Sequence, residues 1–127
     1  MLSAFDLVAL VATKNPSRAR EFYETVLGLR FVADEPFALV FDANRTMLRV
    51  SKVKDLAPAP FTVLGWRVSD IRRTVASLQD RGVVFERYVG LAQDDLGICT
   101  FPGGSMVAWF KDPDGNVLSL TESVTDA

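Results

Sequence analysis

The sequence predicts an α+β chain of two βαβββ modules, and three observations predict it. Short apolar runs of strand length alternate with two amphipathic stretches of helical period. Each helical stretch opens on a capping residue and closes on a glycine, Asn15 to Gly28 and Asp70 to Gly82. The same order of elements then occurs twice along 127 residues, which is the signature of an internal repeat.

The elements follow in order. Residues 7–13 (LVALVAT) form a continuous apolar run, suited to a strand buried on both faces. Asn15 and Pro16 are helix-start residues. Over 17–27, Ala19, Phe22, Tyr23 and Val26 make one apolar stripe. A short strand is expected at 29–32, then a hairpin of 37–41 and 46–51 around Asp42-Ala43-Asn44-Arg45. Pro58 and Pro60 mark a linker, so the modules are placed at residues 4–52 and 61–122 with 53–60 between them.

The second module opens with a strand at 61–68. Asp70 caps a helix over 71–81 whose stripe is Ile71, Val75 and Leu78, and a strand is expected at 83–86. Residues 87–104 are glycine-containing loop with room for one short strand, and either a lid or a plain surface loop. The closing hairpin, 105–110 and 116–121, turns on Asp112-Pro113-Asp114-Gly115. There Pro113 fixes φ, Gly115 permits a positive φ, and the aspartates can accept from nearby amides. DANRTMLRV lies over DPDGNVLSL without a gap, which pairs Asp42 with Asp112 and Leu48 with Leu118. A module with one helix leaves the other sheet face apolar. Two such faces are expected to meet around a cleft.

Composition excludes several classes. Fourteen basic against sixteen acidic residues, with no basic block, speak against nucleic acid and anionic membrane as partners. No run is long enough to span a membrane, and residues 1–6 lack the features of a secretory signal. The lone Cys99 cannot form an internal disulfide, and a reducing, cytoplasmic setting is expected. With no histidine, the commonest base and metal ligand is missing.

The segments NPSRAREFYETVLGL (15–29) and FKDPDGN (110–116) resemble the vicinal oxygen chelate superfamily, which holds glyoxalase I, extradiol dioxygenases and bleomycin-resistance proteins. The resemblance runs nearly end to end and implies the paired βαβββ fold. In enzymes of that family a divalent metal is held by His, Gln or Glu from four strands. Matching motif to motif puts those positions at Val8, Arg49, Val63 and Ser119. Valine has no donor, a guanidinium brings a fixed positive charge, and serine is a poor ligand. The resemblance therefore implies the metal-free branch with no cofactor: a binder of a small organic ligand in the cleft, often homodimeric.

Six residues are candidates for that ligand. Arg49 is an anion anchor or a surface or interface arginine. Ser119 offers a hydroxyl, and without a neighbouring base it is no nucleophile. Val8 and Val63 would line the cleft, and Arg67 would assist from its rim. Trp109 is a ligand platform or core residue, whereas the phase of Trp66 places it under the helix. Two other readings stand beside the binder. One is an enzyme with relocated ligands or acid–base chemistry through Glu122 or Asp6; the other is a partner-binding module with a filled cleft.

Overall fold

The computed structural model describes residues 1–124. A 3-10 turn at Leu2–Ala4 precedes β1 (Val8–Thr13), α1 (Pro16–Arg20), β2 (Arg30–Asp34), β3 (Ala38–Ala43) and β4 (Thr46–Lys52). The second half holds β5 (Thr62–Arg67), α2 (Ile71–Asp80), β6 (Cys99–Thr100), β7 (Met106–Lys111) and β8 (Val117–Glu122). They form two four-stranded mixed sheets, ordered β1-β4-β3-β2 and β5-β8-β7-β6. In each, one parallel pair joins a run of antiparallel ones. This is the expected α+β architecture.

Two compact units divide the chain: Met1–Pro58 with Pro113–Asn116, and Ala59–Asp112 with the segment from Val117 onward. The break at Pro58 falls within the proline linker. The first unit is thus discontinuous, since the turn of the last hairpin belongs to it.

In the first unit Asn15 caps α1 as expected, its Oδ1 accepting from the Arg18 amide at 3.3 Å with Pro16 at the first helical position. The helix does not run on uniformly. It widens to a π-helix over Glu21–Val26, closed by the Leu27 amide donating to the Phe22 carbonyl at 2.9 Å, and Gly28 ends it at φ 76°. Ala19 and Tyr23 are buried against the sheet, where the Tyr23 and Phe41 rings lie 5.8 Å apart and Phe31 packs edge-on to Phe41 at 5.6 Å. On the first sheet this core face also takes Val11, Leu48 and Val50.

The opposite face overturns one expectation. β1 is not buried on both sides: Leu7, Val8 and Leu10 are 78%, 43% and 61% exposed. A continuous apolar run is compatible with burial on either face, and here only the face carrying Val11 and Thr13 is covered.

The turn Pro113–Asn116 is anchored within the first unit. Thr13, fully buried, donates its hydroxyl to Asp114 Oδ2; the Lys14 amide donates to Asp114 Oδ1 at 3.0 Å; and Asn116 Nδ2 donates to the Ala12 carbonyl at 2.8 Å. The turn thus does structural work, as its composition implied.

In the second unit Asp70 caps α2 by accepting from the Arg73 amide, and Ile71, Val75 and Leu78 are its buried stripe. Phe110, fully buried, stacks on Trp66 at 6.5 Å and meets Phe85 at 5.4 Å, so Trp66 faces the helix side as its phase indicated. The expected strand at 83–86 is absent. Only Phe85 bridges to Phe110, with the Glu86 amide donating to the Trp109 carbonyl at 2.8 Å. The edge of β7 is instead shared with β6, drawn from the long loop.

Strand register also corrects the gapless hairpin match. Phe41 pairs with Leu48 and Phe110 with Leu118. The equivalent of Asp42 is therefore Lys111, because the second turn is one residue longer. The first turn is tighter, with Asn44 at φ 52° and Arg45 at φ 74°. That is the left-handed pair of a type I′ turn, where the second position favours glycine; a side chain there costs about 1–2 kcal/mol.

The long loop is tied down over its middle. Asp94 accepts from the amides of Leu96 and Ile98 and from Arg72 of α2. Gln93 Nε2 donates to the carbonyls of Glu86 and Gly97. Arg87 donates to the Asp94 and Asp95 carbonyls, and Ile98 and Cys99 are buried. This is a hydrogen-bonded knot, so residues 93–99 do not have the build of a lid. Cys99, expected in loop, lies in β6.

Candidate functional site

Each unit presents the sheet face that its helix leaves open. In the first, register aligns Val8 with Met47 and Leu10 with Arg49 across β1 and β4, and Arg49 with Val40 across β4 and β3. These side chains share the open face, because Leu48 and Val50 alternate to the core. At the end of the sheet where β1 and β4 begin lies a hollow of about 530 Å³. Its floor and walls are mainly Leu7, Val8, Val32, Val40 and Met47, and Asp6, Arg30, Asp42 and Arg45 bring charge to it. Val32 reaches it from a bulge in β2 between Phe31 and Ala33.

Two of the four charges satisfy each other. Arg30 Nη2 donates to Asp42 Oδ2 at 3.0 Å, and the Arg45 amide donates to Asp42 Oδ1 at 2.8 Å. The Arg30 guanidinium and then the Arg45 amide hold the Asp42 carboxyl below the usual carboxylate range.

Arg49 lies on the open face of a central strand, half-buried, and donates to Glu35 Oε1 at 3.1 Å. It does not line the hollow. The residue expected as an anchor is engaged with a carboxylate of its own unit.

In the second unit Ser119 pairs with Gly65 on one side and Trp109 on the other, so all three share the open face with Arg67. A Cβ on Gly65 would come within 2.8 Å of Ser119 Oγ, so glycine at 65 is what leaves room for the buried Ser119. Trp109, whose face the sequence left open, is flanked edge-on by Tyr88 at 5.5 Å and Phe101 at 6.4 Å. Val63 sits at a bulge of β5 between Thr62 and Leu64 and is 39% exposed. Sequence reasoning did not single out Tyr88 and Phe101, since nothing in a loop's composition says which residues return to a strand. Glu122 is a cap: its Oε1 accepts from the Ile71 amide at the start of α2 at 2.9 Å.

The donor set does not fit the divalent ion of the family's enzymes. Two of the four matched residues are valines, Arg49 is paired with Glu35, and Ser119 is a weak donor. Among the described residues no three His, Cys, Asp or Glu side chains gather as a metal site. Nor is any described helix long and apolar enough to cross a membrane.

Comparison with known proteins agrees with this architecture. Residues 5–120 match the family model for the Glyoxalase/Bleomycin resistance protein/Dioxygenase superfamily. The chain belongs to that superfamily. Among solved structures, a superfamily member from Sphaerobacter thermophilus is 22% identical with a TM-score of 0.74, over 97% of this chain and 100% of that one. A lactoylglutathione lyase from Agrobacterium tumefaciens is 17% identical with a TM-score of 0.72, over 94% of each chain. A glyoxalase family protein from Enterococcus faecalis is 23% identical with a TM-score of 0.69, over 93% and 96%. At such identities the likeness is one of fold. No curated protein matches the sequence significantly.

Proposed function

We propose that the chain is a metal-independent small-molecule binder that sequesters or carries an organic ligand. The observation that carries this reading is the hollow on the open face of the first sheet, of ligand-sized volume and lined by apolar side chains together with four charged residues. The metal-free part is supported by the side chains at Val8, Arg49, Val63 and Ser119, none of which suits a divalent ion. Ser119, Arg67 and Trp109 on the second unit's open face supply a second set of candidate contacts.

The acid–base alternative is weakened at Glu122, whose carboxylate is committed to the start of α2. Asp6 remains at the hollow. The reading also includes a homodimer in a reducing, cytoplasmic setting. Phe5, Leu7 and Leu10, each more than half exposed, are the surface a second copy would cover.

A thermal-shift screen of organic ligands, run beside elemental analysis of the purified protein, tests the proposal. Ligand at a hundred times its Kd should add about 2.7 kcal/mol of stability without turnover. Stoichiometric zinc, nickel, manganese or iron would overturn it.

A further inference from the structure

We infer that the hollow of the first unit takes a zwitterion with an apolar body, a hydrophobic amino acid or short peptide, with its carboxylate on Arg45 and its ammonium on Asp6. The inference rests on the reading of that hollow as a ligand site, and it specifies the ligand's charge pattern.

The argument starts from what remains after internal pairing. Four charged residues line the hollow, and Arg30 and Asp42 form an ion pair. The side chains of Asp6 and Arg45 make no hydrogen bond or close ion pair among the described residues, and the Arg45 guanidinium acts on Asp42 only through its charge, beside the Arg30 pair that carboxylate already makes. One cation and one anion are therefore left facing one apolar space. A simple anion placed on Arg45 would also meet the carboxylates of Asp6 and Asp42. A simple cation placed on Asp6 would meet two guanidiniums. A dipolar ligand gives hydrogen-bonding partners to both Arg45 and Asp6, and its apolar part rests on Val8, Val32, Val40 and Met47.

Arg45 carries a second, independent observation. Its φ of 74° belongs to a turn position that glycine fills without strain. The turn itself is already held by the Arg45 amide on Asp42, a bond that any residue with an amide supplies. Turn geometry thus gives no reason for a side chain at this position. The hollow does, because Arg45 is one of the residues that line it.

The probes are leucine, leucyl-leucine, its N-acetyl form (anion only) and its C-terminal amide (cation only), titrated by calorimetry at neutral pH and low salt. Either leucine or leucyl-leucine is expected to bind at least about tenfold more tightly than both capped forms. Arg45→Gly should retain or raise the melting temperature yet weaken the zwitterion about tenfold. Asp6→Asn should weaken the zwitterion while leaving the N-acetyl form unchanged or tighter. Equal binding of the anion-only form would overturn the charge assignment, as would an Arg45→Gly variant that binds the zwitterion normally. If these probes fail while another organic ligand from the thermal screen binds the hollow, the zwitterion is wrong and the binder stands. If nothing binds there, both fall.

Discussion

Truncating Phe110 to alanine is expected to destabilise the protein by about 4 kcal/mol, measured as a fall in the urea midpoint at unchanged slope. The ring is fully buried and is the shared partner of Trp66 and Phe85. Its loss removes packing between the second sheet and α2 and leaves a cavity among rigid neighbours. It also undermines the single bridge at Phe85, which is all that remains of a strand there. Phe110→Leu should cost less than half as much, because most of the volume is retained. Equal stability of Phe110→Ala and the wild type would mean that this aromatic cluster is not the core of the unit.

Replacing Asp94 by alanine is expected to cost about 2 kcal/mol, the larger part from leaving the buried Ile98 segment without its acceptor. The carboxylate gathers Arg72 at 2.7 Å, the Ile98 amide at 2.9 Å and the Leu96 amide at 3.0 Å. Partial burial pushes its pKa up, but the Ile98 amide, Arg72 and the Leu96 amide outweigh that and hold it below the usual range. A carboxyl lowered on folding stabilises fully above the unfolded value, about pH 3.9, and loses that contribution as pH falls through the folded value. The stability gap between wild type and Asp94→Asn should therefore be widest near neutral pH and close progressively below about pH 4. A gap independent of pH, in denaturation curves from pH 7 to 3, would remove the charge from the account. Amide exchange at Ile98 and Cys99 should quicken in the variant, since the knot is what protects them.

Much of the scaffold was legible in the sequence because local chemistry decides it. Asn15 and Asp70 cap helices, Gly28 and Gly82 end their helical segments at φ 76° and 91°, and the stripe Ile71, Val75 and Leu78 is buried as its spacing required. These signals act within one turn of chain. What failed depended on distant partners. The run 7–13 has the composition of a doubly covered strand, yet which faces are covered is decided elsewhere. The edge of β7 went to β6 rather than to 83–86 because the Asp94 knot delivers Cys99 and Thr100 alongside it.

The site shows the same division. Strand alternation sets Arg49 on the face opposite Leu48 and Val50, but its pairing with Glu35, fourteen positions away, has no signature in composition. Arg45 was passed over as a turn residue. The available signal was the missing glycine after Asn44, at a place where a two-residue turn asks for one.

The discontinuity of the first unit bears on the order in which the chain can fold. Thr13 meets its acceptor Asp114 across 101 positions of sequence, so a ribosome releases β1 long before its partner exists. Until then the threonine hydroxyl must remain hydrated or bonded elsewhere, and the strand cannot settle into its final surroundings. Closing so long a loop is slow relative to forming the local hairpins, which suits a late step in folding. A fragment of residues 1–58 would lack that acceptor permanently. The first unit, though nearly contiguous in sequence, is thus completed only when the last hairpin turns.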